Sequence, residues 1–498
     1  MNGGILGGIM ERTVELANRL VWGVPALALI LGVGIFLSVR TGFVQLAFFP
    51  KACRLFRRKV TGRSRDGGIS PFQALCTALA ATIGTGNIAG VAGAITLGGP
   101  GAIFWMWVCA VAGMMTKFAE ATLAVFYRVK INGEWVGGPM YMILRGMKKR
   151  WHVLAYLYCF FGVIAAFGVG NATQINAVVT GLDQVLTEFG IAVTCCRKLG
   201  IGLLLALPVG LTLLGGAKRI GTAAQVLVPL AAGLYLLLGA GVLVIRYREI
   251  PRAFAAIIQG AWSPRAFTGG MVGSCFQALR IGVSRGVFTN EAGMGTASIA
   301  HASAEVSHPV QQGLMGIMEV FLDTVVICTV TALVILCSGV SIPYGEHVGA
   351  GLTARAFCAV YGNWASVILT LAISCFAFAT VLGWGLYGVR CAEFLFGESC
   401  RKYMAFFQTA MVVVSAVMET GLIWSFAELV NGLMAIPNLI ALVILCPVLR
   451  ELTCQYKMFC GQRSACGGTY ENFNQCKPLP AFSYEKVSSL CGGSEASG

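Results

Sequence analysis

Residues 80–90 read AATIGTGNIAG and lie in the middle of the apolar run 72–97, which is long enough to span a bilayer. Gly84 and Gly86 would each destabilise a helix interior by about 1 kcal/mol relative to alanine. The threonine and asparagine beside them are polar. Unwound backbone at membrane depth is tolerated only where it lines a cavity or is buried in protein. The stretch therefore marks a candidate unwound segment within a transmembrane helix.

A second polar segment with glycines, IGVSRGVFTN at residues 281–290, lies in the apolar run 267–296. Each segment opens a set of five predicted spans, and the two sets run in opposite directions through the membrane. Interrupted helices at corresponding places in two inverted halves indicate a secondary transporter, and such breaks suit an amino acid. Half-helix N–H groups attract a carboxylate, and half-helix carbonyls attract an ammonium group or Na⁺. The alternative is that the glycines only allow close helix packing. The repetition of the pattern favours the transporter.

Eleven apolar runs are long enough to cross a membrane. They cover residues 20–39, 72–97, 100–127, 152–180, 199–216, 221–245, 267–296, 310–338, 363–389, 403–421 and 422–446. The predicted fold class is an all-α polytopic membrane protein with one extra helix, a five-plus-five inverted repeat, and broken helices 2 and 7.

This reading divides the chain into three regions. Residues 1–19 form an extracytoplasmic N-terminus, and residues 20–446 form the transporter domain, with repeats at about 72–245 and 267–446. Residues 447–498 form a cytoplasmic tail that contains cysteines and is expected to be reduced and largely disordered. A short interfacial helix is expected within residues 137–147.

Composition and charge agree with a membrane protein. Of the 498 residues, 57% are hydrophobic and only 11% are charged, whereas soluble domains carry about 25% charged residues. This argues against a soluble enzyme, a disordered protein or a nucleic-acid binder.

The net charge of +15 follows the positive-inside rule. With the N-terminus outside, the inner segments hold 24 of the 36 Lys and Arg residues and the outer segments hold 9. We therefore expect a multi-pass protein of the cell membrane with a cytoplasmic C-terminus. The basic cluster within residues 51–65 dominates this bias and is interpreted as an orientation signal facing anionic lipid rather than as a binding patch.

Other classes of function find little support in the sequence. No GxxxxGK[ST] motif occurs, which disfavours an ATP-driven pump. A channel would need filter loops or rings of charge with oligomeric symmetry, and an enzyme would need a convergent catalytic set. The four histidines, at 152, 301, 308 and 347, do not have metal-ligand spacing. The sequence does not indicate an oligomeric state.

Four blocks resemble the alanine/glycine:cation symporters, also called sodium:alanine symporters. They are Gly84–Gly90, Gly98–Met114, Thr289–Gly295 and Phe378–Trp384. The resemblance covers about residues 20–446 and implies the LeuT-type fold. It also implies alternating-access uptake of alanine or glycine driven by Na⁺, with H⁺ coupling as the alternative.

The resemblance also implies a set of site residues. The carbonyls of Ala80 and Ile83 and the hydroxyl of Thr380 would bind Na⁺. The N–H groups around Thr85 and Gly86 would meet the substrate carboxylate. The other expected substrate contacts are Asn87, the polar residue Gln174, the bulky wall Trp384, and, as weaker candidates, Phe167 and Ile281.

Charged residues within the spans need a partner or water, because a charge at the bilayer centre costs about 3 kcal/mol. Lys117 and Glu120 share a face of span three and are expected to pair within the helix. Glu319 and Asp323 share a face of span eight and would repel, unless one is protonated or Lys117 reaches one of them. Two roles compete for these charged residues: gating or proton relay, and a structural salt bridge. We favour the structural salt bridge. A second expected gating pair, near the inner mouth, joins Arg285 to Glu291.

Overall fold

The computed structural model describes residues 13–14, 16–18, 20–60, 68–188, 190–191, 194–263, 274–346, 348–418 and 421–465. Across these residues the chain is almost entirely α-helical, as predicted, with one two-stranded antiparallel hairpin. The helices of the first half are α1 (Val24–Thr41), α2 (Val44–Ala47), α3 (Phe49–Val60), α4 (Pro71–Thr82), α5 (Val91–Gly98), α6 (Gly101–Tyr127), α7 (Pro139–Gly146), α8 (Val153–Phe167), α9 (Thr173–Glu188), α10 (Cys195–Leu214), α11 (Gly216–Ile245) and α12 (Ile250–Gly260).

The helices of the second half are α13 (Cys275–Asn290), α14 (Thr296–Ala302), α15 (Pro309–Val320), α16 (Thr329–Cys337), α17 (Gly351–Tyr361), α18 (Trp364–Phe396), α19 (Cys400–Val417), α20 (Gly421–Ile444) and α21 (Cys446–Ala465). Three π-helical segments join consecutive helices, at Gly86–Gly90, Gly168–Ala172 and Phe321–Cys328. Two 3₁₀ turns lie at Lys149–Trp151 and Tyr247–Glu249.

The described residues contain eight helices long and apolar enough to span a membrane, and α4 with α5 forms a ninth candidate that is bent by 53°. These nine coincide with nine of the eleven predicted runs. The predicted seventh and tenth runs fall on α13 and α19, which do not meet the same criterion of length and composition. The protein is therefore multi-pass, and the number eleven stays a prediction.

Helix α6 lies deep in the bundle, since every residue from Ala112 to Tyr127 is buried. It packs against α1, α13, α14 and α15. Helix α18 packs against α4, α8, α9 and α11. Since α4 and α13–α14 belong to the two predicted broken spans, α6 and α18 form the walls against which the breaks are held.

The hairpin consists of β1 (Val129–Ile131) and β2 (Glu134–Val136) and lies against the end of α18. The Glu134 carboxylate accepts a hydrogen bond from Arg390 at 2.6 Å. Burial alone would raise the pKa of Glu134, but the hydrogen bond and positive charge of Arg390, together with the charge of Arg401, lower it overall. The hairpin is therefore attached to α18 through a charged pair.

The segment after Cys446 differs from the sequence expectation. Residues 446–465 form α21 instead of a disordered tail, and Leu449 and Leu452 are fully buried. The Tyr456 ring packs on Phe48 with centroids 6.1 Å apart. This apolar contact surface gives the helix its tertiary support, and residues 466–498 lie outside the described residues. The expected short helix within 137–147 is confirmed as α7.

Candidate functional site

The first break is formed by local sequence. Helix α4 starts with a capping box between Ser70 and Gln73 and ends at Thr82. Ile83 is extended (ψ 97°), and the Gly84 N–H donates to the Asn87 side-chain oxygen at 3.0 Å. The helix resumes with the π-helical turn that begins at Gly86. The predicted interruption of span two is therefore confirmed at its predicted position.

Uncharged oxygens from three helices meet at this break. The Thr380 hydroxyl of α18 lies 3.5 Å from the Ile83 carbonyl oxygen. The Thr85 hydroxyl lies 3.4 Å from Oε1 of Gln174 on α9. A methyl group built on Gly84 would lie 3.0 Å from the Thr380 hydroxyl and 3.3 Å from the Gln174 oxygen. Four of the residues predicted from sequence are thus brought together, and all four are buried.

The oxygens at the break suit Na⁺, a hard cation that prefers oxygen ligands. Ala80 is fully buried in the last turn of α4, where carbonyls have no donor from the next turn of the helix. None of the contributing oxygens carries a charge. Within the described residues, no group of three or more His, Cys, Asp or Glu side chains is arranged to hold a metal ion. The donor set therefore fits a weakly held alkali cation better than a tightly held divalent ion.

The second break does not lie where the sequence indicated. Residues 281–290 belong to the continuous helix α13, so the predicted unwinding there is wrong. A methyl group on Gly282 would come 2.3 Å from the Ala102 carbonyl oxygen of α6, and one on Gly286 would come 3.2 Å from Cys109. These glycines allow close packing of two helices, which is the alternative that the sequence left open.

The chain leaves α13 one residue later and re-enters a helix at Thr296. Glu291, Gly293 and Gly295 all have positive φ, at 52°, 96° and 77°. This conformation is strained for side chains but open to glycine, so the spacing of Gly293 and Gly295 was the available signal. Broken helix 7 is therefore present, with its break at residues 291–295.

The N–H groups of the second break already have protein partners. Glu120 of α6 accepts from Gly293 N–H at 2.9 Å and from Gly295 N–H at 3.1 Å. The same carboxylate oxygen accepts from the Asn438 amide at 2.7 Å. The Asn290 side chain accepts from Ala292 N–H at 3.0 Å. A carboxylate from a neighbouring helix therefore fills the place that a ligand takes at an open half-helix end.

Glu291 links the second break to α18. Its carboxylate accepts from the Thr296 hydroxyl at 2.6 Å and from the Trp384 indole N–H at 3.2 Å. Trp384 is 1% exposed and packs so closely on Gly170 that a methyl group there would lie 2.2 Å from it. Trp384 is thus enclosed by protein, about one helical turn from Thr380.

Lys117 pairs across helices rather than within its own. Its ammonium lies 2.9 Å from Glu319 of α15, and His301 lies 2.9 Å from the other oxygen of that carboxylate. The expected pair with Glu120 is wrong, because Glu120 faces the second break instead. Sequence reasoning missed His301, since a lone histidine carries no local signal of a buried carboxylate partner.

Arg285 does not reach Glu291. Its guanidinium lies 3.8 Å from Glu428 of α20. The predicted pair is wrong because the positive φ of Glu291 directs its carboxylate to Thr296 and Trp384.

Asp323 connects the two breaks. One of its oxygens accepts from the Asn87 amide at 2.7 Å and the other from the Thr324 hydroxyl at 2.8 Å. Thr324 in turn accepts from the Asn290 amide at 3.2 Å. A continuous hydrogen-bonded chain therefore runs from the first break to the end of α13. Glu319 and Asp323 thus have separate sets of partners.

Comparison with known proteins gives the family. The model of the sodium:alanine symporter family matches residues 8–465. This protein belongs to that family.

Two relatives and one solved structure extend the match. The symporter is 44% identical over 440 residues to "Sodium/alanine symporter AgcS" of Methanococcus maripaludis, covering 87% of this chain and 94% of the relative. It is 38% identical over 459 residues to "Probable sodium/glutamine symporter GlnT" of Bacillus subtilis, covering 90% and 92%. The crystal structure of MhsT in complex with L-phenylalanine aligns with a TM-score of 0.53 at 13% identity, covering 79% of this chain and 99% of MhsT.

The likeness to MhsT shows the LeuT-type fold, and the family shows the class of activity. The symporter is a multi-pass, sodium-coupled amino-acid transporter and not an enzyme. The fold and the family that the sequence motifs indicated are therefore confirmed.

Two of the weaker expected site residues lie away from the first break of the symporter. Phe167 packs against Val389 and Met404, and Val389 is about 13 Å along α18 from Thr380 at 1.5 Å per residue. Ile281 packs on Gly98, where a methyl group would lie 3.0 Å from its Cβ. Neither is among the side chains nearest to Gly84, and their place in the substrate site stays a prediction.

Sequence reasoning missed two residues beside the first break. A methyl group on Gly86 would lie 3.5 Å from the Thr289 methyl and 3.7 Å from the Phe288 ring. Both residues belong to the last turn of α13. Thr289 begins the block Thr289–Gly295 that resembles the family, but its place beside Gly86 depends on how the two halves pack.

Proposed function

We propose that the symporter couples inward Na⁺ flow to the uptake of alanine and glycine by alternating access, with both ligands bound at the first break. The observation that carries the proposal is the convergence of uncharged oxygens around Gly84, at the end of one half-helix and the start of another. The second break is less suited to binding a ligand, because its N–H groups are bonded to Glu120 and Asn290.

The cation site uses the carbonyls of Ala80 and Ile83 and the hydroxyl of Thr380. Half-helix C-terminal ends favour cations through the partial negative charge of their carbonyls. A coupling ion must be released on every cycle, so weak, uncharged ligands are suited to the role. H⁺ coupling is the competing proposal, and it would not need this set of oxygen ligands.

The substrate carboxylate meets the N–H groups at Thr85 and Gly86, where the second half-helix starts. Gln174 contacts the polar groups that all amino acids share. Phe288 and Thr289 lie against Gly86, and Trp384 closes the adjacent face of α18. The limited space around Gly84 and Gly86 supports a small side chain on the substrate, such as that of alanine, rather than the longer side chain of glutamine.

Uptake of labelled alanine into proteoliposomes tests this proposal. A Na⁺ gradient should drive saturable uptake that excess glycine suppresses more strongly than excess glutamine. A proton gradient without Na⁺ should not drive it. Uptake driven by protons alone, or stronger inhibition by glutamine, would contradict the proposed cation or substrate respectively, and uptake that does not saturate would favour a channel.

The polar pairs inside the bundle are proposed as structural rather than gating. Lys117 and Glu319 neutralise each other and bring α6 and α15 together. Glu120 and Glu291 hold the second break, Asp323 bridges the two breaks, and Arg285 pairs with α20. The two ion pairs remove unpaired charges from places where they would be costly, and the carboxylates of Glu120, Glu291 and Asp323 accept hydrogen bonds from uncharged donors.

The proposed orientation places the N-terminal residues 1–19 outside and residues 447–498 in the cytoplasm. The test is the variant Arg57→Cys in a background without the exposed native cysteines. It should resist a membrane-impermeant thiol reagent in intact cells, because α3 lies on the inner side. Arg246→Cys, on a predicted outer loop, is the matched control and should be labelled. The opposite labelling pattern would reverse the topology.

A further inference from the structure

Helix α3 has one face packed on the bundle. Ala52 is fully buried. The Phe49 ring meets Phe321 edge-on with centroids 4.9 Å apart, and the Phe56 ring meets Phe72 at 6.2 Å. Phe321 begins a π-helical segment, and Phe72 lies in the first turn of α4, the helix that ends at the first break. Helix α3 therefore touches two elements that build the central site.

The opposite face of α3 is strongly basic. Arg54, Arg57 and Arg58 are exposed and, at this spacing, share one face of the helix. Lys51 is half-buried at the edge of this face. No Asp or Glu occurs anywhere between residues 42 and 65. The surface formed by these four side chains, here named the α3 basic face, is thus of a single sign.

Exposed apolar side chains flank the α3 basic face. Phe43 and Leu46 precede the helix and are 48% and 54% exposed, and Val60 ends it at 43%. An amphipathic helix at the bilayer boundary places apolar groups among acyl chains and guanidinium groups among headgroups. The neighbouring helix α21 adds another cation, since the Lys457 ammonium lies 5.9 Å from the Phe48 ring. The arrangement matches an anionic bilayer surface in both polarity and charge.

We propose that the α3 basic face binds the phosphate headgroups of anionic phospholipids, and that bound lipid sets the transport rate of the symporter. The lipid holds α3 against the bundle, and α3 transmits this restraint through Phe49 and Phe56 to the helices beside the first break. This role is performed by the folded protein and is separate from the orientation of the chain during insertion.

Lipid binding is measured on the purified full-length protein in detergent, by the rise in unfolding temperature as phosphatidylglycerol is added. Binding to the native state raises the free energy of unfolding with the logarithm of one plus the ratio of free lipid concentration to Kd. The double variant Arg54→Gln/Arg57→Gln should need about tenfold more phosphatidylglycerol to reach the same shift as the wild type. The matched control Arg246→Gln/Arg355→Gln removes two exposed arginines elsewhere and should behave as the wild type. Equal shifts with phosphatidylcholine or inorganic phosphate, or equal loss in the control, would overturn the proposal.

The effect on rate is measured by uptake into phosphatidylcholine vesicles with and without phosphatidylglycerol. The wild type and the control should show a higher maximal rate with the anionic lipid, at unchanged KM for alanine, and the double variant should not respond. A response of the double variant equal to that of the wild type would overturn the link to transport. The binding measurement uses no transport substrate, so its outcome is independent of the proposed substrate and coupling ion.

Discussion

The two broken helices differ in what satisfies their backbone. At the first break, one N–H bonds to the local Asn87 side chain, and the surrounding oxygens of Thr85, Gln174 and Thr380 face one another across helices. At the second break, N–H groups at three positions bond to Asn290 and Glu120. The first break therefore suits the proposed ligands, whereas the N–H groups of the second are bonded to protein side chains.

This difference shows that the partners of an unwound segment, rather than the unwinding itself, indicate a binding site. Both segments contain glycine and polar residues within apolar runs. Only the second one has a carboxylate from another helix already placed on its N–H groups. The hydrogen-bonded chain through Asp323 and Thr324 joins the two, so the second break is placed to orient the first, where we propose that the ligands bind.

The largest expected effect comes from removing the carboxylate that holds the second break. Glu120→Ala leaves two buried N–H groups and the Asn438 amide without this acceptor, at about 1–3 kcal/mol each. We expect a strongly reduced unfolding temperature of the purified protein. Glu120→Gln keeps one acceptor oxygen and should lie between this variant and the wild type, and Glu346→Ala, at an exposed site, should have little effect. If Glu120→Ala is as stable as Glu346→Ala, the second break does not depend on this carboxylate.

Removing the polar anchor of the first break should weaken substrates without unfolding the protein. Gln174→Ala deletes a hydrogen bond to groups that all substrates share, worth about 1.5–3 kcal/mol when the partner is charged. The KM for alanine and for glycine should rise by similar factors. Gln225→Ala, an exposed glutamine on α11, is the control. Normal alanine uptake by Gln174→Ala would remove this residue from the site.

A smaller and selective effect is expected at Trp384, which joins the wall of the first break to the second. Trp384→Ala enlarges the site and should admit larger neutral amino acids such as serine or valine. The change in selectivity should amount to about 1–3 kcal/mol, so it should be partial. Trp384→Phe keeps an aromatic ring but loses the bond to Glu291, and its selectivity in competition assays should stay closer to that of the wild type than the selectivity of Trp384→Ala. Identical selectivity of the two variants would mean that Trp384 does not shape the pocket.

The first break could be predicted from sequence because its cause is local: two glycines with polar neighbours in a long apolar run. The second was misplaced because Gly282 and Gly286 give the same local signal, although they serve the close approach of α6. That approach is a property of the packed bundle. The expected partners Glu120 for Lys117 and Glu291 for Arg285 were wrong for the same reason, whereas the alternative that Lys117 reaches Glu319 is confirmed.

The resemblance to a family predicted site residues that local sequence patterns do not indicate. It placed Gln174 and Thr380 beside the first break, and the structure brings both next to Gly84. The resemblance was a weaker guide for Phe167 and Ile281, because large apolar residues are common on every helix of a membrane bundle. Phe288 and Thr289 were missed because their contact with Gly86 joins the two repeats.

The most direct test of the account is the Na⁺ dependence of alanine uptake by Thr380→Val. The substitution preserves shape and removes one proposed cation ligand at the first break. Thr370→Val makes the same change on the same helix, about 15 Å away along its axis. The account predicts that the half-saturating Na⁺ concentration rises about tenfold or more in Thr380→Val and stays at the wild-type value in Thr370→Val. An unchanged Na⁺ dependence in Thr380→Val would contradict the assignment of the cation to the first break.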